Sequence, residues 1–353
     1  MKKKTILTAA VWILILALVL AFLNALFMPK YMSEIPEGAL IAEYYRETTD
    51  HDVLFVGDCE VYENVSPDVL WREYGITSYI RGSAQQLIWQ SYYLLEEMLK
   101  EETPKVVVFN VLSMKYAEPQ SEAYNRMSID GMKLSPSKLG SIRASMTEEE
   151  TTLSYLFPLL RYHSRWNELT GEDLRYLFRR DLVSDSGYLM NVEVRPAENV
   201  PTGKPLADYR FDELCYDYLD RMADLCQSKG IRFVLMKAPS LYPYWYDQWE
   251  EQIEDYAGRR GLSYINFLEL TETLGIDFST DTYDGGLHLN LSGAEKLTHY
   301  LGGWLAQECG LTGHRGEEPY ESVWQEKSAL YAARKAQQEA DWAAEQAAAG
   351  KEG

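Results

Sequence analysis

Five short apolar, β-branched runs, at residues 53–56, 78–80, 105–109, 231–236 and 263–265, limit how this chain can fold more than any other feature. Amphipathic stretches of helical period separate them. Strand, helix, strand in alternation predicts a parallel sheet with helices on both faces. Helix boundaries are marked as well. Ser66-Pro67 places an N-cap before a proline at the first helical position, and Ser83 with Gln86 has the spacing of a capping box opening a helix that runs to about Lys100. A further helix is predicted from Phe211 to Lys229, stopped by Gly230 directly before the fourth run.

Between the third and fourth runs lie residues 112–209, far more than the ~2–6 residues that usually link a strand to its helix. They are read as a mainly helical insertion, with Thr147 and Glu150 as a capping box. Tyr155, Phe157, Tyr162, Trp166, Tyr176 and Phe178 alternate there with Arg161, Arg165, Arg175, Arg179 and Arg180. Aromatics that stack on sugar rings and arginines that grip anions suit a glycopolymer. A local satellite core with solvated arginines fits the same pattern.

Residues 5–27 carry no charge and follow Lys2, Lys3 and Lys4. At ~1.5 Å per residue this stretch spans ~34 Å, enough for a bilayer core of ~30 Å. Residues 1–30 are therefore read as an uncleaved membrane anchor, the run being longer than a signal-peptide core and lacking a clear A-x-A site. Lysines only on its N-terminal side place that end in the cytoplasm and the body, residues 31–310, outside. Residues 311–353 read as a charged, solvated helical tail; the alternative is a partner-binding helix using Trp324, Tyr331 and Trp342.

Charge excludes one class of partner. The chain has 34 Lys and Arg against 54 Asp and Glu, a net of −20, which repels nucleic acid. Its four cysteines (Cys59, Cys215, Cys226, Cys309) are too scattered for a disulfide scaffold or a zinc knuckle. Neither a metal nor another cofactor is expected.

In open parallel sheets ligands bind beyond the carboxyl ends of the strands. The first run ends Gly57-Asp58-Cys59-Glu60, which puts a thiol at the strand's mouth, either as a nucleophile or as a small buried hydrophobe. Of the five histidines, His51 precedes the first run, His163 lies in the insertion, His299 is mid-helix and His314 is in the tail. His288 remains, in the polar loop Asp281-Thr-Tyr-Asp284-Gly-Gly-Leu-His288. A carboxylate a few residues upstream can orient its imidazole toward a nucleophile.

With a first block of Gly-Asp-Cys in place of Gly-Asp-Ser and a last block of Asp followed by His, the chain resembles the SGNH/GDSL hydrolase superfamily over about 53–306. The resemblance implies a flavodoxin-like three-layer α/β/α fold, Cys59 as nucleophile, His288 as base, and Gly82 and Asn110 as oxyanion-hole residues. The usual acid position, three residues before His288, is Gly285, so the acid is Asp284, with Asp281 as the alternate. With the anchor, the chain is most similar in character to membrane-anchored proteins of cell-wall D-alanylation and polysaccharide O-acetylation. That likeness implies an acyltransferase or esterase acting on a cell-envelope glycopolymer beside a membrane-bound O-acyltransferase. The alternative is a non-catalytic binding or assembly subunit of such a complex.

Overall fold

The computed structural model describes residues 2–29, 37–119, 121–179 and 181–352; Lys30 and Arg180 lie outside them. The chain runs α1 (Lys2–Phe27), α2 (Glu37–Glu43), β1 (Val53–Gly57), α3 (Cys59–Tyr62), α4 (Pro67–Tyr74), β2 (Ser78–Gly82), α5 (Ile88–Glu101) and β3 (Val106–Asn110). Five short helices follow: α6 (Glu122–Ile129), α7 (Pro136–Ser145), α8 (Thr152–Leu156), α9 (Leu159–Tyr162) and α10 (Gly171–Phe178). The remainder is α11 (Glu213–Ser228), β4 (Arg232–Lys237), α12 (Asp247–Arg260), β5 (Ser263–Asn266), α13 (Thr271–Leu274), α14 (Leu291–Glu308) and α15 (Tyr320–Glu352).

All five apolar runs are strands, each reaching one or two residues further toward its carboxyl end than the apolar pattern does. They pair in parallel in the order β2-β1-β3-β4-β5, which is the flavodoxin-like order. Successive side chains point to opposite faces. Leu54, Val56, Val107, Phe109, Phe233 and Leu235 pack into the layer containing α5, α11 and α12. Val53, Phe55, Val106, Val108, Val234 and Met236 pack into the layer containing α4 and α14. Burial on both faces is why these runs are continuously apolar rather than alternating.

Ser66 caps α4 with Pro67 in the first turn, and Gly230 ends the turn after α11 in the left-handed region (φ +69°). Two capping expectations need correction. The Ser83 hydroxyl bonds the Gln86 side chain at 3.2 Å, but α5 starts only at Ile88, where the Gln90 side chain accepts from the Leu87 N–H at 2.9 Å. Glu150 likewise accepts from the Thr147 N–H, closing a turn, and α8 begins at Thr152 under a Thr151 cap. Thr147 and Thr151 are only four residues apart, so spacing selects the wrong threonine, while α5 starts behind Leu87, which carries no hydroxyl to mark it.

The insertion comprises two kinds of structure. Residues 122–178 are helical, whereas 183–197 form an extended strap bonded into the body: Ser186 O accepts from Ile80 N, Tyr62 O from Leu189 N and Thr282 O from Arg195 N. The strap thus bonds to edge strand β2 and passes beside α3 and the His288 loop.

The tail also departs from expectation. α15 buries Trp324 and Tyr331, with Trp324 stacked on Trp71 of α4 at 5.6 Å. Polar contacts complete the seam, among them Ser328 to Asp68 (2.6 Å) and Arg334 to Asp185 (3.0 Å). Two aromatics seven residues apart make one narrow stripe, which a composition of Ala, Glu and Gln conceals.

Candidate active site

β1 and β3 are neighbours at the point where strand order reverses, so the crevice at their carboxyl ends is where this topology offers a ligand site. Gly57 closes β1 because nothing larger fits: an added Cβ would lie 2.5 Å from Val61 and 3.1 Å from Asn110. Asp58 then caps α3, its carboxylate accepting from Glu60 N at 3.2 Å, and Cys59 is the first helical residue. The thiol is half-exposed. Burial in the mouth of the sheet pushes it up to about 11, against the lowering influence of His288, with Asp58 and Glu63 adding to the rise.

His288 sits on the loop before α14 and is buried. Its Nδ1 lies 2.7 Å from Asp284 Oδ2, and Asp284 Oδ1 accepts from the His288 backbone N–H at 2.9 Å. Gly285 and Gly286, both at positive φ (+81° and +99°), turn the chain back so that a carboxylate four residues upstream reaches the ring. The loop is anchored by Asn64, which accepts from Leu289 N at 2.8 Å. Nε2 of His288 is buried without a hydrogen-bond partner, and the ring lies close enough to the Cys59 side chain for each to shift the other's titration. Asp281 is not part of this group, being held by Lys296 (2.5 Å) and by Asp277 N (2.8 Å).

A second carboxylate was not foreseen. Glu63 Oε2 lies 3.3 Å from His288 Nδ1 and accepts from the Tyr283 hydroxyl. It follows Cys59 by four residues, a spacing that shares a helix face and could have identified it. Burial disfavours the imidazolium, yet Glu63 and Asp284 together hold His288 well above the ordinary histidine range. Glu63, Asp284 and His288 each offer a ligand atom within 4.8 Å of the others, a spacing able to hold a divalent cation. The hydrogen bond that Nδ1 donates to Asp284 suits an acid–base pair equally.

The floor of the crevice is a buried ionic network. Lys237, ending β4, places Nζ 2.9 and 3.0 Å from the two Glu60 oxygens and 2.6 Å from Ala238 O. Asn110, ending β3, donates both amide hydrogens, to Glu60 (2.9 Å) and Asp58 (3.1 Å), and accepts from Ala238 N. This corrects the oxyanion expectation for Asn110: in this arrangement its donors are already occupied by carboxylates. Burial, then Glu60, raises the Asp58 carboxyl to about 7. Lys115, whose ammonium burial lowers, opposes that rise and feels the charge of Cys59 as well. Gly82 ends β2 in register with Gly57, and a Cβ there would lie 2.9 Å from Gly57 O, so glycine is required for close approach.

With the thiol and imidazole both raised, the pair keeps its protons through neutrality and thiolate accumulates only on the alkaline side. Alkylation of Cys59 by iodoacetamide, located by peptide mass mapping, is accordingly expected to keep accelerating above about pH 8.5, the free-thiol reference. Glu63→Gln removes a negative charge that raises both groups, so its profile should move to lower pH. An unchanged profile in that variant would show that Glu63 does not tune the pair.

In the insertion, Tyr155 belongs to a satellite core with Ile129 and Ile142, and Tyr162 is buried too, with Arg126 over both rings at 4.2 and 5.3 Å. Arg161, Arg175 and Arg179 pair with Glu122, Glu172 and Asp181. A cavity of about 510 Å³ lies elsewhere, where α15 meets residues 181–186, lined by Tyr79, Trp324, Lys327, Tyr331 and Arg334.

No protein-family model matches the chain, and no curated protein matches it. Among solved structures, a GDSL-like lipase from Bacteroides thetaiotaomicron matches at 12% sequence identity and a TM-score of 0.35, over 76% of this chain and 94% of that one. The fold assignment rests on this chain's own strand order and register.

Proposed function

We propose that this chain is a membrane-anchored acyltransferase or esterase, working through Cys59, His288 and Asp284 on ester-linked acyl groups of a cell-envelope glycopolymer outside the cytoplasm. The observation that carries the reading is the 2.7 Å contact between His288 Nδ1 and Asp284, with Cys59 near enough to that ring for the two to shift each other's titration, at the carboxyl ends of β1 and β3. In the first half-reaction the Cys59 thiolate attacks the ester carbonyl, the C–O bond breaks, and the His288 imidazolium gives its Nε2 proton to the departing alkoxide. A thioester to Cys59 and a free alcohol result. In the second, His288 takes the proton of an acceptor hydroxyl, which attacks the thioester and releases the thiolate. A sugar hydroxyl as acceptor makes the reaction transfer, and water makes it hydrolysis. Lys115 supplies positive charge at the mouth of the crevice, where Asn110 is occupied.

Residues 5–27 support the location: α1 is long and apolar enough to cross a membrane, and the preceding lysines favour a cytoplasmic N-terminus. A membrane-bound O-acyltransferase is the partner this reading calls for, as the source of acyl groups. One observation favours a non-catalytic assembly subunit instead, namely that both donors of Asn110 are engaged by carboxylates.

The test is covalent. Brief exposure of the purified chain to an activated aryl acetate should add one acetyl group to the peptide containing Cys59, removable by hydroxylamine, with Asp284→Asn slowing its formation. A Cys59 peptide labelled no faster than that of Cys309 would support the non-catalytic reading.

A further inference from the structure

The last turns of α1 are not free of the body. Residues 23–29 are partly covered, and the elements packed on α1 are α9, the 3₁₀ turn His163–Asn167 and α10. Asn24 Oδ1 accepts from Leu159 N at 2.8 Å, and Phe27 O accepts from Arg165 Nη1 at 2.7 Å. A bilayer core of ~30 Å takes ~20 residues of helix, so counting from Thr5 it ends near Asn24. The insertion is therefore fastened to α1 at the level where hydrocarbon gives way to headgroups.

The same segment bears large apolar side chains that the body does not cover. Phe178 is 83% exposed, Trp166 72%, Phe157 55% and Leu160 54%, and Leu174 is exposed too. Their place in the chain ties them to those contacts: Leu160 follows Leu159, Trp166 follows Arg165, and Leu174 and Phe178 lie on α10. Water is a poor environment for such a set, and tryptophan and phenylalanine at the ends of a span favour the interface. Charge agrees. Residues 153–178 balance three arginines (Arg161, Arg165, Arg175) against three carboxylates (Glu168, Glu172, Asp173), so the segment escapes the acidic excess of a chain whose net charge is −20.

We propose that residues 153–178 form an interfacial platform that lies in the headgroup layer of the bilayer spanned by α1. The occupant of this apolar surface is lipid, and the platform fixes the height and tilt of the Cys59 crevice above the membrane. This inference rests on the reading of α1 as a membrane span. It is independent of the acyl-transfer chemistry.

The experiment uses the full chain reconstituted into vesicles of phosphatidylcholine and phosphatidylglycerol. Two photoactivatable phosphatidylcholines are compared, one with its diazirine near the headgroup and one with it deep in the acyl chain, and labelled peptides are mapped by mass spectrometry. The deep probe should label α1 alone. The shallow probe should label 153–178 several-fold more than the exposed face of α15 around Leu330. Phe157→Ser, Leu160→Ser, Trp166→Ser and Phe178→Ser combined, all at exposed positions, should abolish that labelling and leave α1 labelled. Labelled α1 with 153–178 no more reactive than α15 would overturn the platform alone, whereas unlabelled α1 would overturn the span and the platform with it.

Discussion

Cys59→Ala is expected to lower turnover of an activated ester by roughly 10³-fold or more, the scale of loss when a covalent nucleophile is removed from a group that acts as a unit. Cys59→Ser should retain part of the activity. The serine hydroxyl occupies the same first turn of α3, beside a histidine already oriented by Asp284. Its residual rate should fall below that of the thiol, because a hydroxyl ionises far less readily and leans on the general base, whose contribution is typically ~10²- to 10⁴-fold. The cysteine also suits transfer, since a thioester is more reactive than an ester toward an acceptor hydroxyl. In cells, the acyl content of the envelope polymer would be compared in a deletion strain complemented with each variant at matched protein level. If alanine restores acylation as well as cysteine does, Cys59 is not a nucleophile and the assembly-subunit reading takes its place.

Lys237→Met is expected to cost about 3–5 kcal/mol of folding stability, measured by urea unfolding, because it strands a buried carboxylate. Lys237 and Glu60 are both completely enclosed, and besides the lysine Glu60 has the Asn110 amide and the charge of Lys115 to compensate its own. Adding Glu60→Gln to that variant should recover more than half of the loss, since a neutral amide needs no counter-ion. The pH dependence has a definite sign. Asp58 is held at about 7 in the folded chain, above its unfolded value near ~3.9, so its ionisation opposes folding progressively as pH rises between those values. Lys237 is one of the charges that lower Asp58, so without the ammonium that ionisation opposes folding more strongly. The deficit of Lys237→Met should thus be smallest near pH 4 and largest above 7. A variant within about 1 kcal/mol of the unmutated chain at pH 7 would show that the ion pair does not hold the crevice floor together.

Some residues of the crevice were legible because their chemistry is announced locally. Gly57-Asp58-Cys59 follows the apolar run of a strand, and His288 lies in a polar loop with carboxylates a few residues upstream. Even the contact between Asp284 and His288 was readable, given two glycines between the carboxylate and the ring. Asn110 was misread as an oxyanion donor because its position at the end of β3 says nothing about which hydrogen bonds its amide makes. Those depend on Asp58 and Glu60, some fifty residues earlier, and on Ala238 N, 128 residues later. Glu63 and Lys237 went unnoticed for the same reason, charged residues on a short helix and a strand end being ordinary until their partners are known.

Periodicity and residue type settle what neighbours along the chain decide: five strands, their burial on both faces, a parallel sheet with helices on either side, and a first helix apolar enough for a bilayer. These follow from local sterics and from the apolar character of 53–56, 105–109 and 231–236, whatever lies far away. Folding in three dimensions alone could decide which charges meet. The Lys237–Glu60 pair joins residues 177 apart, His288 meets a carboxylate 225 positions earlier, and Trp324 lies on Trp71. Such contacts depend on strand order and crossover paths, and a side chain's charge or exposure takes its consequence from them. The titration of Cys59, the occupied donors of Asn110 and the docking of α1 on the insertion belong to that second kind.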